Sequence, residues 1–319
     1  MKRVVEKTVA AAMDTAMCGM MNALQWHRRD QNCSLEEFQT YLTQNSGVTR
    51  EDFYRTPPAA NPATHGPWME WDTPRPSGFL ENDRVRVRYY PCNKGASAPT
   101  VLLLHALMSS SDIGYQRLAR WFNARGWNVA FPHLPFHYSR KPRGHFNGLL
   151  AINANLVRNV ETIRQGVTEL RQLMSQLRAR GCHEFAVMGT SYGGWNGAIL
   201  SFLEEDFRFL AFIQPIANVE HAIWGNPGSA TMRRLLLDRG FAPWGLGEHV
   251  TLCSPLHGVP LCGGDRVIIT AGLYDRVSPA RELRRLKHRW PGSRLLPVRQ
   301  GHFGYLALRK TLEEIDHLI

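Results

Sequence analysis

Short apolar runs alternate along most of the chain with longer stretches in which apolar residues recur every three or four positions. The apolar runs include Thr100–His105, Trp127–Phe131, Phe207–Ile216 and Asp265–Gly272. Thr100–His105 is uniformly apolar before its final residue, which predicts a central strand that is covered on both faces. Arg84–Tyr90 instead alternates polar and apolar residues, which predicts an outer antiparallel strand with one face in water.

Helical stripes separate these strands. A long one covers about Asn155 to Arg180 and is ended by Gly181, and others cover Asp112 to Arg125 and Tyr305 to Leu318. Strands that alternate with helices predict an α/β protein with a mostly parallel, twisted sheet and helices on both faces. We expect this α/β domain to occupy residues 79–319, with residues 1–78 forming a helical extension and a connector.

The extension begins with a methionine-rich helical pattern over residues 4–28. Its predicted apolar stripe consists of Val5, Val9, Met13, Met17, Met20, Met21 and Leu24. A pliable face of this kind could bind a partner, a second copy of the chain or a lipid surface. Packing on the chain's own α/β domain is the interpretation that we prefer, and self-association through this helix remains open.

Two further features are predicted before the α/β domain. Ser34 and Glu37 have the spacing of a capping box at the start of a short helix. Residues 56–77 then contain many prolines, which predicts an extended connector without regular structure. Trp68 and Trp71 are expected to anchor this connector against the domain.

One turn carries the strongest candidate chemistry. Gly189, Ser191 and Gly193 form the pattern G-x-S-x-G directly after the apolar residues Phe185–Val187 and before a helical pattern. A strand that turns sharply into a helix in this way lifts the serine hydroxyl clear of the sheet, and the flanking positions must be nearly free of side chains. Ser191 is therefore the candidate nucleophile of a nucleophile elbow.

An acid and a histidine follow in the order that such a serine requires. Asp275 comes just after the strand predicted at Asp265–Gly272, and His302 lies on a loop after the strand predicted at Ser293–Arg299. The order serine, acid, histidine is the one used on α/β-hydrolase sheets. The histidines His221, His249 and His257 precede Asp275, so that His302 is the expected general base.

On these residues the sequence resembles a serine hydrolase of the α/β-hydrolase superfamily, of the esterase and lipase kind, over roughly Val85 to Ile319. The resemblance rests on His105–Met108 after an apolar strand, the Ser191 elbow, Asp275 and His302. It implies an α/β-hydrolase fold and a catalytic triad of Ser191, Asp275 and His302. It also implies an oxyanion hole formed by the main-chain N–H groups of Leu107 and Tyr192. Because the family usually has glycine at Ala106, the amide of Ala106 is kept as an alternative.

The same resemblance bears on substrate binding. Residues 217–264 have the position of a cap over the serine, and their apolar content suits an acyl-binding wall. Pro135–Arg140 with Pro142–Gly144 resembles a sparsely characterised branch of the superfamily. Arg140 and Arg143 are expected either to steer an anionic substrate or to tie down this loop. Met108 and Trp224 are the other candidate substrate-binding residues.

The amino-acid composition restricts the partners and cofactors that we expect. Lys and Arg number 38 against 27 acids, for a net charge of +11, but they form no long basic run, so that a solvated basic surface is expected rather than a nucleic-acid site. The six cysteines form no C-x-x-C pair, and Cys253, His257 and Cys262 match no zinc spacing. We expect reduced thiols, no metal or cofactor, no transmembrane segment and a cytoplasmic location.

The predicted function is hydrolysis of a small-molecule or lipid-like carboxylic ester through an acyl-enzyme on Ser191. An acyltransferase or thioesterase would use the same three residues and differ only in the acyl acceptor. A non-catalytic member of the fold that binds a ligand or partner is the alternative from a different class.

Overall fold

The chain forms one nine-stranded, open sheet in a computed structural model that describes residues 2–27, 32–57, 62–243 and 249–319. The strand order is β1-β2-β3-β5-β4-β6-β7-β8-β9. The strands are β1 (Ala63–His65), β2 (Trp68–Asp72), β3 (Arg84–Tyr90), β4 (Thr100–Leu104), β5 (Asn128–Pro132), β6 (Phe185–Thr190), β7 (Phe207–Ile213), β8 (Val267–Gly272) and β9 (Arg294–Val298). The strands from β4 to β9 are mutually parallel, whereas β1, β2 and β3 add an antiparallel edge.

Helices cover both faces of the sheet, as the alternating pattern predicts. They are α1 (Lys2–Trp26), α2 (Leu35–Gln44), α3 (Arg50–Phe53), α4 (Ile113–Asn123), α5 (Leu156–Arg178), α6 (Tyr192–Leu200), α7 (Ala230–Leu237), α8 (His249–Cys253), α9 (Ala280–Arg289) and α10 (Leu306–Ile315). The inner faces of α5, α6 and α9 pack into one apolar core, and those of α4 and α10 into the other. Every residue of β4, β5 and β8 is buried, as expected for strands between two helical layers.

The antiparallel edge corrects one prediction. Residues 56–77 contain β1 and β2, so the interpretation of the whole segment as a connector without regular structure is wrong. The prolines flank these strands, and Gly66 takes a left-handed φ of +56° in the turn between them. Trp71 is buried, and its indole N–H donates to Gln172 Oε1 at 2.9 Å. The predicted anchoring role of this tryptophan is therefore confirmed.

Helix α1 packs on the α/β domain, but through a different stripe from the predicted one. Its buried residues are Ala10, Asp14, Cys18 and Gln25. Among the predicted stripe, Val5, Val9, Met13 and Met20 are exposed, whereas Met17, Met21 and Leu24 are half-buried. The apolar pattern places methionines such as Met13 on the inner face of the helix, but the structure buries the polar side chain of Asp14 there instead.

Some predicted features fall outside the described residues, namely Arg28 at the end of the first helix, Pro58 in the connector and Trp244 in the predicted cap.

The capping box is confirmed, since Ser34 Oγ accepts the N–H of Glu37 and the Glu37 carboxylate accepts the N–H of Ser34. Across the described ranges, no helix is long and apolar enough to cross a membrane.

Candidate active site

Ser191 lies in a strained turn between β6 and α6. Its backbone has φ +52° and ψ −111°, a conformation that side-chain-bearing residues rarely adopt. The following turn passes so close to β4 that a Cβ at Gly193 would lie 2.2 Å from the carbonyl oxygen of Leu104. Only glycine fits there, which is the physical reason for the second glycine of the G-x-S-x-G pattern.

The three residues predicted to form the triad lie together at the carboxyl edge of the sheet. His302 Nε2 is 2.9 Å from Ser191 Oγ, and His302 Nδ1 is 2.8 Å from Asp275 Oδ2. The three side chains come from the loops after β6, β8 and β9. Parallel strands end at the same edge, so residues separated by 111 and 27 positions in the chain become neighbours.

Asp275 is held by donors on both oxygens. Its Oδ1 accepts the N–H groups of Val277 and Ser278, each at 2.8 Å. Its Oδ2 accepts Gln214 Nε2 at 2.6 Å in addition to the imidazole. Gln214 is oriented in turn by Gln300, whose Nε2 donates to Gln214 Oε1 at 2.7 Å. The hydrogen-bonding capacity of the Asp275 carboxylate is therefore satisfied, and its orientation is fixed. The role of Gln214 was not predicted from the sequence.

The electrostatics of His302 follow from this arrangement. Burial alone would lower the pKa of His302, but the charge and hydrogen bond of Asp275 and, less strongly, the charge of Asp14 raise it above the usual 6.5. With Nδ1–H donated to Asp275, the Nε2 lone pair of the neutral ring faces the serine hydroxyl. The ring can thus accept the serine proton and hold it as a stabilised imidazolium.

The loop after β4 carries the candidate oxyanion amides. The Ala106 N–H donates to Tyr115 Oη at 3.1 Å, and the Met108 N–H donates to His137 Nε2 at 3.2 Å. Within the described ranges neither the Leu107 N–H nor the Tyr192 N–H has a hydrogen-bond partner. The amide of Ala106, which sequence reasoning kept as an alternative, is therefore already engaged.

Two buried histidines support this loop as neutral rings. Burial lowers the pKa of His137 to about 4, and burial also lowers that of His105 far below the usual range. His137 Nδ1 contacts Pro135 O at 2.8 Å, which leaves Nε2 to accept the Met108 amide. His105 Nε2 likewise accepts the N–H of Leu134 at 3.0 Å. These rings hold the loops after β4 and β5 together, and the role of His137 was not predicted.

A cavity of about 450 Å³ opens above Ser191. Most of its wall is apolar, and helix α1 forms part of it. Its lining consists of Met17, Met21, Gln25, Ala106, Leu107, Met108, Ser109, Ser110, Ser111, Ile152, Thr190, Ser191, Tyr192, Trp195, Ile216, Ala222, Asn226, Ser229, Val277, His302, Phe303, Gly304 and Tyr305. Sequence reasoning did not identify the contribution of α1 to this wall.

The predicted substrate-binding residues separate into two groups. Met108 lines the cavity, with a left-handed φ of +55°. Trp224 packs half-buried against the core, and Arg143 has a 99% exposed side chain near Glu81; neither is among the described residues that line the cavity. Arg140 is fully buried and pairs with Glu169.

The contacts of Arg140 are structural. Its Nη1 donates to Glu169 Oε2 at 2.6 Å and to His133 O at 3.0 Å, and its Nη2 donates to Glu169 Oε1 at 2.8 Å. The guanidinium therefore joins the loop after β5 to helix α5. Of the two roles left open for Arg140, tying down the loop agrees with these contacts, and steering an anionic substrate does not, because no donor faces the cavity.

The remaining candidates for a base or a metal ligand lie elsewhere. His221 is near Arg281 and Glu282, and burial lowers its pKa. Cys253 is buried against Tyr54. In the part of the chain that the structure describes, no three His, Cys, Asp or Glu side chains are grouped as a metal site would require.

Comparison with solved structures identifies the fold. Acetyl xylan esterase 1 from Thermoanaerobacterium sp. JW/SL YS485 is 17% identical and has a TM-score of 0.56, over 88% of this chain and 94% of that one. Esterase Est2 from Thermogutta terrifontis is 15% identical with a TM-score of 0.54, over 81% and 94%. A second structure of that esterase, phosphonylated by sarin, is 14% identical with a TM-score of 0.55, over 80% and 95%.

These neighbours are esterases, and the chain has the α/β-hydrolase fold that the resemblance implied. No protein-family model matches the sequence. No curated protein matches it by sequence either.

Proposed function

We propose that the protein is a serine hydrolase that cleaves a carboxylic ester through an acyl-enzyme on Ser191. The observation that carries this proposal is the hydrogen-bond chain from Asp275 through His302 to Ser191 Oγ, with distances of 2.8 and 2.9 Å, below an apolar cavity. The strained backbone of Ser191 supports it, because strain of this kind concentrates at functional sites. The esterase activity named for the structural neighbours is consistent with it.

The reaction proceeds in two acyl transfers. As Ser191 Oγ attacks the ester carbonyl carbon, its proton passes to His302 Nε2, and the carbonyl oxygen becomes an oxyanion. His302 then returns that proton to the departing alkoxide, which leaves as the alcohol. Water then attacks the acyl-enzyme while His302 Nε2 takes its proton. His302 gives that proton to Ser191 Oγ as the acid departs, which restores the serine. Asp275 holds the ring and stabilises the imidazolium in both steps.

The oxyanion is assigned to the amides of Leu107 and Tyr192. The Tyr192 N–H is at the first position of α6, where backbone N–H groups have no partner within the helix and favour negative charge. The engaged amides of Ala106 and Met108 support Leu107 as the second donor. Each such donor contributes about 3 to 4 kcal/mol of transition-state stabilisation in other acyl-transfer enzymes.

The apolar wall of the cavity favours a small-molecule or lipid-like ester with an apolar acyl group. Residues 217–264 supply Ala222, Asn226 and Ser229 to its wall, in keeping with the predicted cap. Met17 and Met21 of α1 supply flexible apolar surface on the same cavity. A substrate of this kind needs no cation to steer it, which agrees with the burial of Arg140.

Labelling with a fluorophosphonate tests the proposal directly. The oxygen of an activated serine attacks the phosphorus of the probe and displaces fluoride, while the serine proton passes to the base. We therefore expect one stoichiometric adduct per chain, located on Ser191 by mass spectrometry of the digested protein. The Ser191→Ala protein should take up no label. Ser110→Ala is the matched control, since Ser110 lines the same cavity without a hydrogen bond to His302, and it should label like the wild type.

An unlabelled Ser191 in folded wild-type protein, at several pH values, would contradict the proposal and favour the non-catalytic alternative. Label spread over several serines would indicate surface reactivity without an activated nucleophile.

The pH dependence of kcat/KM provides a second prediction. His302 must be neutral to accept the serine proton, and its pKa is raised above the usual 6.5 by Asp275 and Asp14 against the opposing effect of burial. Activity should therefore be lost as pH falls through a single ionisation whose apparent pKa lies above 6.5. Initial rates on a neutral ester from pH 5 to 9 would measure it. A profile that stays flat to pH 5 would exclude His302 as the base.

A further inference from the structure

Asp14 is an acid on the inner face of the N-terminal helix. It is only 1% exposed, and it lies between the buried residues Ala10 and Cys18 of α1. Burial, the strongest influence, raises the pKa of Asp14, whereas hydrogen bonds from the N–H groups of Arg276 and His302 work against that rise. A carboxylate at such a position needs donors, and the chain supplies two from its backbone.

Each oxygen of Asp14 accepts one of these donors. Oδ1 accepts the N–H of His302 at 2.8 Å, and Oδ2 accepts the N–H of Arg276 at 3.2 Å. Arg276 directly follows Asp275. One side chain therefore connects the loop that carries the histidine after β9 to the loop that carries the acid after β8.

The histidine loop is built to lie against this helix. A Cβ at Gly301 would come within 2.6 Å of Asp14 Oδ1 and 3.1 Å of the carbonyl oxygen of Ala10. Only a residue without a side chain permits that approach. The contact between the loop and Asp14 is thus a close-packed feature of this chain.

We propose that Asp14 is a positioning residue of the active site, which sets the spacing of His302 and Asp275 by holding the backbone of both loops. This inference rests on the proposed function, since it assigns Asp14 a role in the same reaction. Asp14 does not touch the reacting atoms. It acts by keeping His302 Nε2 within hydrogen-bond distance of Ser191 while Nδ1 remains on Asp275, a geometry in which an error of about 1 Å can cost roughly 100-fold in rate.

The competing explanation is that Asp14 merely attaches α1 to the domain. Asn22, two turns further along the same helix, provides a control for that explanation. Its Nδ2 donates to Pro227 O at 2.9 Å, and its Oδ1 accepts the Thr231 N–H at 2.8 Å. Asn22 therefore attaches the helix without touching either catalytic loop.

The experiment compares three variants of the whole 319-residue chain in ester hydrolysis and thermal unfolding. Asp14→Ala should lower kcat roughly 10- to 100-fold, with KM changed less than about threefold, because it disturbs alignment rather than substrate contacts. Asp14→Ala and Asn22→Ala should both lower the Tm, because each removes an attachment of α1. Asn22→Ala should nevertheless keep kcat within about twofold of the wild type. Asp14→Asn keeps the shape and one acceptor oxygen, so its loss of kcat should be intermediate.

The acid limb of the pH profile distinguishes an effect of the Asp14 charge on His302 from mere attachment of α1 to the domain. Among the residues that the structure describes, the titratable and charged groups that act on Asp14 are Cys18 on its own helix and Asp275, Arg276 and His302 on the two loops. Glu6 and Arg299 line a surface cavity together with Asp14. The negative charge of Asp14 adds to that of Asp275 in raising the pKa of His302. Both Asp14 variants should therefore move the acid limb to lower pH, whereas Asn22→Ala should leave it in place.

The outcomes separate this inference from the proposed function. If the wild type hydrolyses esters but Asp14→Ala and Asp14→Asn keep its kcat and pH profile, or if Asn22→Ala loses as much kcat, the positioning role is overturned and the function stands. If Asp14→Ala fails to fold, Asp14→Asn carries the comparison. A folded wild type with neither turnover nor a Ser191 adduct would overturn the proposed function, and a positioning role in catalysis with it.

Discussion

Ser191→Ala, His302→Ala and Asp275→Asn should each reduce kcat for ester hydrolysis by about 10⁴- to 10⁶-fold. Alanine at position 191 removes the nucleophile, and alanine at position 302 removes the base. Asparagine at position 275 keeps the shape of the carboxylate, but it cannot stabilise the imidazolium and no longer favours the Nδ1–H tautomer. The measurement is initial-rate kinetics on a short-chain aryl ester.

The three substitutions should also be strongly non-additive. Because the residues act as one unit, the double variant Ser191→Ala/His302→Ala should be about as slow as either single variant. Thermal unfolding and circular dichroism should show that each protein is folded, and Ser46→Ala, at an exposed serine that does not line the cavity, should keep wild-type kinetics. Near-normal turnover by pure, folded Ser191→Ala would remove Ser191 from the mechanism. Additive losses in the double variant would show that the two residues act separately.

The arrangement of the proposed catalytic residues was predictable because it depends on local rules and on chain order. Gly193 is required where the turn passes β4, and that steric requirement is visible in the sequence as a G-x-S-x-G pattern. Asp275 and His302 follow strands that are parallel, so the sheet brings their loops to one edge. The alternation of apolar strands with helices and the chain order of Ser191, Asp275 and His302 are therefore enough to predict that these three residues lie close together.

The contacts of Asp14 were not predictable in the same way. It accepts the amide of a residue 288 positions away, and a single chain contains no signal for that distance. The apolar stripe predicted on α1 overlaps only in part with the face that the helix buries. The satisfied carboxylate of Asp14 takes an inner position and so lowers the apolar count of that face. A polar residue at such a position is detectable only after its backbone donors are seen.

Two short strands were missed for a related reason. Pro62 and Pro67 directly precede β1 and β2, outside the strands, where a missing N–H costs no ladder hydrogen bond. Counting prolines over residues 56–77 cannot separate that placement from an irregular connector. The positions of Trp68 and Met69 opposite Arg88 and Val87 become evident only from the pairing with β3.

The second large effect is expected at Arg140, where Arg140→Ala should reduce the free energy of unfolding by about 3 to 5 kcal/mol. The substitution leaves the buried carboxylate of Glu169, only 5% exposed, without its cation. It also leaves the carbonyl oxygens of Asn82 and His133 without the donors that Arg140 supplies. Urea unfolding, with the midpoint and slope fitted together, measures the change.

Arg143→Ala is the matched control, because it removes an arginine from the same loop whose side chain is 99% exposed and whose ion pair with Glu81 spans 3.9 Å. Its free energy of unfolding should change by less than about 0.5 kcal/mol. If Arg140 instead steered an anionic substrate, Arg140→Ala would raise KM for an anionic ester relative to its neutral analogue and leave stability unchanged. The buried guanidinium instead predicts that Arg140→Ala lowers stability and leaves the ratio of the two KM values unchanged. Its charge is already neutralised by Glu169, and its donors face the protein interior.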